Sequence, residues 1–322
     1  MVRRRLPRPD WLERSRVLRI QSLTILSTLR CNARCAHCVT DSSPERGESL
    51  SRSVAEQAAR EAAAAGWNVN VSGGEPMIDP GTVELVARAA KPFGVSVAVA
   101  TNGFWAKSDA VATKRVARLK DAGVDTLLLS LDYFHLPYVS EAQVLAAARA
   151  AATLGMRCQV AITRRPGTDN DALAARAGAI AGVAVKIHGV SQVGRAEGLD
   201  ASAFDFTGHM RPCPVIGQLA LTPDGHLYAC CAASIRFGHD SPLCGGTYEA
   251  GALRRFADQL GALPFFQDIQ SAGPLAAALN EMGRTRLFAF APKARYTDPC
   301  SACRDVCRAY TAAETARVEA QT

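Results

Sequence analysis

Nowhere among the 322 residues do 18 apolar side chains follow one another, which excludes a transmembrane helix of ordinary length. The arginine-bearing start, MVRRRLPRPDW, leads into no apolar stretch of the kind that marks a secretory signal. A cytoplasmic, reducing location is therefore expected, and disulfides are not. Wholesale disorder is excluded as well, because 48% of the residues are hydrophobic and only 21% charged, a balance that buries a sizeable core. The length suits one large domain of about 200 residues and a smaller one. What the chain does have is 11 cysteines, an odd number where pairing is not available.

The formal charge of +7 is unevenly placed. Residues 1–20 hold seven arginines against Asp10 and Glu13, which leaves +2 for the rest of the chain. A basic arm over residues 1–19 thus precedes a nearly neutral body. Such an arm reads as a solvated extension, with contact to an acidic peptide or nucleic acid as the alternative. No membrane or nucleic-acid partner is expected.

The middle of the chain is rhythmic. Gly66, Gly94, Gly123 and Gly155 each close an alanine-rich helical stretch at a nearly even spacing, as left-handed C-caps do. Ser53 with Glu56, and Ser140 with Gln143, read as capping boxes at two helix starts. Apolar or β-branched runs follow the glycines at 69–71, 95–101, 126–131 and 157–162, and two more lie at 20–28 and 184–190. Strands alternating with helices at this spacing predict βα units on a parallel sheet, an open partial barrel of six strands over residues 20–200. The units share layout but not sequence, so this is no short solenoid. Ligands of such sheets bind at the C-terminal strand ends, which makes each strand exit a candidate site. Beyond residue 200 the rhythm stops. Residues 205–322 hold seven of the 11 cysteines and a stretch, 263–299, without a simple βα pattern; they read as a smaller domain organised by metal.

The first strand exits into Cys31-Asn32-Ala33-Arg34-Cys35-Ala36-His37-Cys38. Three thiolates at C-x3-C-x2-C spacing can hold three irons of a [4Fe-4S] cube and leave the fourth open. The alternatives are zinc, with His37 as a fourth ligand, and unliganded thiols. The second strand exits into Ser72-Gly73-Gly74-Glu75-Pro76. Two glycines let backbone approach a ligand closely, and Glu75 offers a carboxylate to an ammonium group. Taken alone, the same run is a tight turn with a solvated glutamate.

Together, the C-x3-C-x2-C triplet and the GGEP run, in that order and with one helix between them, resemble the radical SAM superfamily. The resemblance implies a partial (β/α)6 TIM-like barrel over about residues 20–195. It implies that Cys31, Cys35 and Cys38 hold a [4Fe-4S] cluster whose open iron is chelated by S-adenosylmethionine. Gly73, Gly74, Glu75 and Pro76 would line the methionine end. Thr101 and Asn102 after the third strand, and Ser130 and Asp132 after the fourth, would lie along the nucleoside and methionine parts; otherwise they are an Asn-Gly turn and a helix-entry signal. Many relatives place glycine after S-x-D, whereas this chain runs Tyr133-Phe134-His135. Tyr133 and His135 are therefore candidates to face the substrate as a hydrogen-bonding wall or an acid/base pair, with a packed aromatic turn as the alternative.

The C-terminal part resembles the SPASM/twitch extensions of radical SAM enzymes, which carry one or two auxiliary iron–sulfur clusters. The features are Cys213, a Gly225-x4-Cys230 hairpin with a Pro223-Asp224-Gly225 turn, and Cys300-x2-Cys303-x3-Cys307. The full SPASM pattern has C-x2-C-x5-C-x3-C, so one auxiliary [4Fe-4S] cluster is expected, on Cys213, Cys230, Cys300 and Cys303, with Cys307 competing as fourth ligand. Cys231 and Cys244 could join Cys307 in a second cluster, or one of them could return a hydrogen atom to a substrate radical. Zinc competes as the metal here. Cys158, early in a strand, reads as core.

The implied activity is reductive cleavage of S-adenosylmethionine to a 5′-deoxyadenosyl radical that abstracts hydrogen from substrate, fed by an external one-electron donor such as flavodoxin or ferredoxin. The implied substrates are a precursor peptide, undergoing oxidation, epimerisation or crosslinking, or a small molecule of natural-product type. The segment ahead of the first strand is too short for a winged-helix leader-binding module, and none is expected there. The rival from another class is a non-enzymatic iron–sulfur electron carrier or a zinc-stabilised binding protein. Against it stand GGEP, Thr101-Asn102 and Ser130-x-Asp132, all at strand exits.

Overall fold

The computed structural model describes residues 18–200, 211–231, 233–284, 289–290, 296 and 298–319. Six parallel strands, β1 (Ser22–Leu26), β2 (Asn68–Ser72), β3 (Val97–Thr101), β4 (Thr126–Ser130), β5 (Arg157–Thr163) and β6 (Val183–His188), alternate with helices. The helices are α1 (Arg52–Ala64), α2 (Pro80–Ala90), α3 (Asp109–Ala122), α4 (Glu141–Thr153) and α5 (Asn170–Gly178). This is the open, partial (β/α)6 barrel that the rhythm predicts. The basic arm, except for residues 18 and 19, and the junction at 201–210 lie outside the described residues.

The two-residue period of the strands sorts their side chains. Leu23, Ile25, Val69, Val71, Val97, Val99, Leu127, Leu129, Val160 and Ile162 are fully buried in the main core. Thr24, Ser72, Ala100, Ser130 and Thr163, on the alternate positions, face the concave side. The buried face of α1 is Ala55, Ala58, Ala59, Ala62 and Ala63, small side chains that let helix and sheet approach closely. Cys158 on β5 is buried in the same core. All four repeating glycines have positive φ, between 64° and 115°, and close their helices in the left-handed conformation.

The capping box at Ser140 and Gln143 is present in both directions at the start of α4. The one expected at Ser53 and Glu56 is not. Helix α1 starts two residues earlier, capped by Ser51, whose side chain accepts from Val54 N at 3.3 Å. Both serines satisfy the same local pattern, and the chain's path out of the β1 exit, with Leu50 N bonded to Ser27 O at 2.9 Å, selects the earlier one.

The sheet does not end with the barrel. Strand β7 (Gln218–Leu221) pairs in parallel with β1, from Ser22↔Gln218 to Ile25↔Leu221. It turns through Pro223-Asp224-Gly225 into antiparallel β8 (His226–Tyr228), and β9 (Cys244–Thr247) follows. The order is β6-β5-β4-β3-β2-β1-β7-β8-β9, one sheet of nine strands. Helices α6 (Ala252–Ala262), α7 (Pro264–Ala272), α8 (Pro274–Arg284) and α9 (Pro299–Glu319) complete the described chain. Helix α6 has no side-chain cap of its own. Glu61 of α1 accepts from Gly251 N and Leu253 N at 3.1 Å each and from Tyr248 Oη at 3.0 Å, and so satisfies that helix start from across the fold.

Helix-cap substitutions separate the two candidate starts of α1. Ser51→Ala costs about 1 kcal/mol in urea denaturation, and Ser53→Ala costs clearly less; equal costs would place the cap wrongly.

Candidate active site

The C-terminal ends of the strands surround a cavity of about 450 Å³. All three cysteines of the first motif line it, together with His37, Gly73, Gly74, Glu75, Thr101, Asn102, Ser130 and His135. Pro76, Tyr133, Asp132 and Cys244 do not. Cys231 does, together with Ser191 of the segment after β6.

The segment carrying the three thiols has neither helix nor strand beyond isolated bridges. Ala33 N points at Cys31 Sγ at 3.4 Å, and Ser42 N at Cys38 Sγ at 3.3 Å. Backbone N–H groups aimed at sulfur stabilise the thiolate. Burial nevertheless pushes the Cys31 thiol up to about 12. Among the described residues, the groups of three metal-ligating atoms that close to within 4.8 Å are His37/Asp132/His135 and Asp224/His226/His239; neither cysteine group closes that far. Four thiolates about one zinc ion would stand about 3.8 Å apart. The wider spread fits a multi-iron cluster, and the donor set of convergent thiols fits it as well.

Two residues that the sequence analysis passes over fix this loop. Arg195, after β6, donates through Nη1 to Cys35 O at 2.9 Å and through Nη2 to Ser42 O at 2.8 Å, while its backbone N bonds Cys38 O at 3.0 Å. Gly194 lies so close that a Cβ there would meet Val39 O at 2.3 Å, and its φ is +63°. A Gly-Arg pair just past the last barrel strand is the signal that could have found them. Asn102 Nδ2 also bonds Asn32 Oδ1 at 2.9 Å, and Tyr138 Oη bonds Arg34 O at 2.8 Å.

Besides lining the cavity, the glycines of GGEP admit a close backbone contact. A Cβ on Gly73 would stand 2.4 Å from Thr28 O, and one on Gly74 would stand 2.3 Å from Arg30 O. Both let the turn pack against the exit of β1, with Gly74 N bonded to Thr28 O and Glu75 N to Arg30 O. That packing directs the Glu75 carboxylate inward, where it is 1% exposed. It accepts from Thr101 Oγ1 at 2.6 Å, Asn102 N at 2.7 Å and Met77 N at 3.0 Å. Burial outweighs these donors and raises its pKa to about 7. Pro76 is buried at the start of the short 3-10 turn that follows.

Asp132 is 1% exposed and sits behind the wall. It accepts from Phe134 N at 2.9 Å, Thr163 N at 3.2 Å and His135 Nδ1 at 2.9 Å. Burial opposes its charge, but the hydrogen bond and charge of His135 hold its carboxyl below the usual range. Burial likewise opposes a charged His135, yet Asp132 and Cys35 raise it to about 10. Asp132 thus orients His135, which faces the cavity. Tyr133 turns the other way, its hydroxyl donating to Asp169 O at 3.3 Å. His37 rests 4.5 Å from the Phe134 ring, and burial lowers its pKa to about 4.

Three of the C-terminal cysteines, Cys300, Cys303 and Cys307, lie on α9 rather than on a loop. Their offsets of three and seven residues put them on one face of the helix. Burial first, then the charges of Asp298, Cys230, Cys303 and Cys213, raises the Cys300 thiol well above its usual value. These four cysteines therefore share one neighbourhood. Cys307 stands beside them, its sulfur 3.9 Å from that of Cys303. Cys231 also feels the charges of Cys230 and Cys213, and it and Cys244 pack around Leu26, Ala220 and Tyr228.

Residues 25–175 match the family model described as the Radical SAM superfamily. Among curated proteins, the GTP 3′,8-cyclase of Pelotomaculum thermopropionicum is 37% identical over 118 residues, covering 35% of this chain and 34% of that protein. The putative peptide biosynthesis protein YydG of Bacillus subtilis is 26% identical over 117 residues, 36% of this chain and 37% of that one. The chain spans about a third of the length of these curated relatives. Among solved structures, Streptococcus suis SuiB bound to precursor peptide SuiA superposes with a TM-score of 0.57 at 14% identity, over 90% of this chain and 76% of that one. The enzyme anSMEcpe with bound AdoMet gives 0.54 at 12% identity, over 92% and 96%. At these identities the likeness is one of fold. No helix among the described residues is long and apolar enough to cross a membrane.

Arg195→Ala is expected to quicken chelator-driven loss of cluster iron several-fold, without rescue by Arg195→Lys, because one ammonium cannot span two carbonyls. Unchanged iron release would sink the role given to this clamp. For Glu75, the folded-state pKa of about 7 exceeds its ordinary value of 4.5. The folded form then binds the proton more tightly, so the contribution of this group to stability falls as pH rises from about 4.5 to about 7. Across that window the cluster-free wild type should lose melting temperature relative to Glu75→Gln; parallel curves would contradict the shift.

Proposed function

Residues 25–175 belong to the Radical SAM superfamily, and on that premise we propose that the chain is an enzyme that abstracts hydrogen from a peptide substrate for oxidation, epimerisation or crosslinking. The observation that carries this is the convergence of three thiols, Glu75, Thr101, Asn102, Ser130 and His135 on one cavity. The superfamily's cofactors are a [4Fe-4S] cluster and S-adenosylmethionine, which together supply, when bound, a radical able to take an unactivated hydrogen atom.

The chain's own residues bind, orient and exclude water. Cys31, Cys35 and Cys38 hold the cluster, with Ala33 N and Ser42 N supporting two of the sulfurs. Glu75 offers its carboxylate to an ammonium group, which would restore the charge that burial discourages. Gly73 and Gly74 supply backbone at the same end. Thr101, Asn102 and Ser130 offer hydroxyl and amide groups further along the wall. His135, oriented by Asp132, faces the cavity with a fixed ring. Cys231 also lines the cavity, where a thiol can return a hydrogen atom to a substrate radical.

The wall favours a peptide over a nucleotide. Among the described residues that line the cavity there is no lysine or arginine; the polar groups are Ser, Thr, Asn, His, Cys and the one glutamate. A triphosphate calls for cationic partners, whereas a neutral peptide segment does not. The name borne by YydG, similar over the barrel, supports the same choice.

Cys213, Cys230, Cys300 and Cys303 hold one auxiliary [4Fe-4S] cluster in this reading, with Cys307 as the competing ligand. An external one-electron donor such as flavodoxin or ferredoxin reduces the enzyme.

Alanine in place of Cys31, Cys35 or Cys38 should abolish 5′-deoxyadenosine formation from S-adenosylmethionine by the anaerobically reconstituted protein; retained cleavage overturns the assignment. Cys300→Ala should lower bound iron from about eight to about four per chain, as loss of one of two four-iron clusters requires.

A further inference from the structure

The carboxylate of Glu75 is unevenly engaged. Each of its oxygens can accept about two hydrogen bonds. Oε1 takes two, from Thr101 Oγ1 at 2.6 Å and Met77 N at 3.0 Å. Oε2 takes one, from Asn102 N at 2.7 Å. Among the described residues, the position still open on this carboxylate therefore belongs to Oε2.

The filling of Oε1 depends on Trp105, a side chain in the turn between β3 and α3 that is 4% exposed. Its Nε1 donates to Thr101 Oγ1 at 3.0 Å, and Gly103 N donates to the same oxygen at 3.2 Å. A hydroxyl has two lone pairs and one proton. With both lone pairs of Thr101 taken, its proton is directed at Glu75 Oε1, and Thr101 serves the cavity wall through that carboxylate. An indole N–H can only donate, so the sequence of bonds runs in one direction, from Trp105 through Thr101 to Glu75. Gly103, at φ +77°, turns the chain so that Trp105 reaches back to Thr101 four residues earlier.

A buried indole needs an acceptor wherever it lies. Here the carbonyls nearest in the chain are already engaged, Gly103 O by Ala106 N at 3.0 Å and Phe104 O by Gln143 Nε2 at 2.7 Å. Bonding to a hydroxyl instead of a carbonyl carries the effect of the indole on to the carboxylate. Without that N–H, one lone pair of Thr101 is freed, its proton gains other orientations, and Glu75 loses a fixed donor.

We propose that Trp105 is a positioning residue for the cofactor: by donating to Thr101 it commits that hydroxyl to Glu75 Oε1, and so leaves Oε2 as the oxygen that receives the amino group of S-adenosylmethionine. This rests on the reading in which Glu75 meets that group.

The test measures the Kd of S-adenosylmethionine by equilibrium dialysis, with iron analysed alongside. It uses the full chain reconstituted with its iron–sulfur clusters and kept oxidised, so that the cofactor binds without reductive cleavage. Trp105→Phe should raise Kd about tenfold at unchanged iron, as loss of one directed hydrogen bond to a charged group does. Benzothienylalanine at position 105, which keeps the ring shape and exchanges the N–H for sulfur, should do the same. Thr101→Val should weaken binding about equally, and adding Trp105→Phe to it should cost less than about twofold more, because both act through one hydroxyl. A benzothienylalanine protein that binds as wild type does overturns the proposal, since the ring and not its N–H would then matter. Losses that multiply in the double variant overturn it as well. Glu75→Gln tells the two readings apart. If it binds as tightly as wild type, the placement of the cofactor at Glu75 fails and takes the proposal with it. If it binds weakly while the benzothienylalanine protein does not, only the role of Trp105 fails.

Discussion

A segment without helix or strand leaves its peptide groups to be satisfied from outside, and the one that carries Cys31, Cys35 and Cys38 must do so while partly buried. Its partners come from every side of the barrel mouth. Leu29 N bonds Glu48 O, and Cys31 N bonds Ser43 O, closing the loop on itself. Tyr138 reaches Arg34 O from the β4 exit, and Asn102 reaches the Asn32 side chain from the β3 exit. Arg195 takes two more carbonyls from the β6 exit. Three barrel loops thus hold the thiols, so the cavity's shape and the spacing of the three cysteines are set by one network. An arginine is suited to such a task because a planar fork of donors satisfies two acceptors at a fixed angle.

Burial acts alike on the two carboxylates near this network, and their partners make them differ. Asp132 meets an imidazole and keeps its charge. Glu75 meets a hydroxyl and two backbone N–H groups, and its pKa rises to about 7. Neutral donors satisfy lone pairs without cancelling charge, so they offset only part of the desolvation. Glu75 is consequently the group at the cavity for which an incoming ammonium matters most, whereas Asp132 is already spent on orienting His135.

What was legible in the sequence was whatever local chemistry determines. The six strands fall within a few residues of the apolar runs, because a two-residue period and a closing glycine are properties of a short segment. The cysteine triplet and GGEP sit at strand exits for the same reason. Partners distant in sequence were not legible. Ser51 and Ser53 are equivalent as caps until Leu50 is tied to Ser27. That Gly73 and Gly74 also pack against Thr28 and Arg30 shows only once those distant residues are brought beside them. The pairing of β7 with β1 joins the first strand of the barrel to a segment beyond the point where the rhythm stops. Tyr133 and His135 are near neighbours in the chain and look equally placed, yet backbone and ring hydrogen bonds to Asp132 hold His135 at the cavity while the Tyr133 hydroxyl bonds Asp169 O.

The segment after β6 connects the two cysteine groups more directly than the sheet does. Ser191 stands on the cavity wall and its hydroxyl approaches Cys300 Sγ at 4.0 Å. Gln192 N bonds Asp298 Oδ2 at 3.1 Å, and the other oxygen of Asp298 accepts from Cys300 N and Ser301 N at the start of α9. Glu197 pairs with Arg304 one turn further along that helix, at 2.9 Å. Between these contacts lie Gly194 and Arg195, which hold the first cysteine loop. One short stretch, 191–197, therefore grips a loop on one side and a helix on the other, each carrying three cysteines. Displacing either group would have to strain the same backbone, and a glycine at φ +63° packed against Val39 O leaves it little room to yield. The relative position of the two cysteine groups is thereby fixed by short polar contacts.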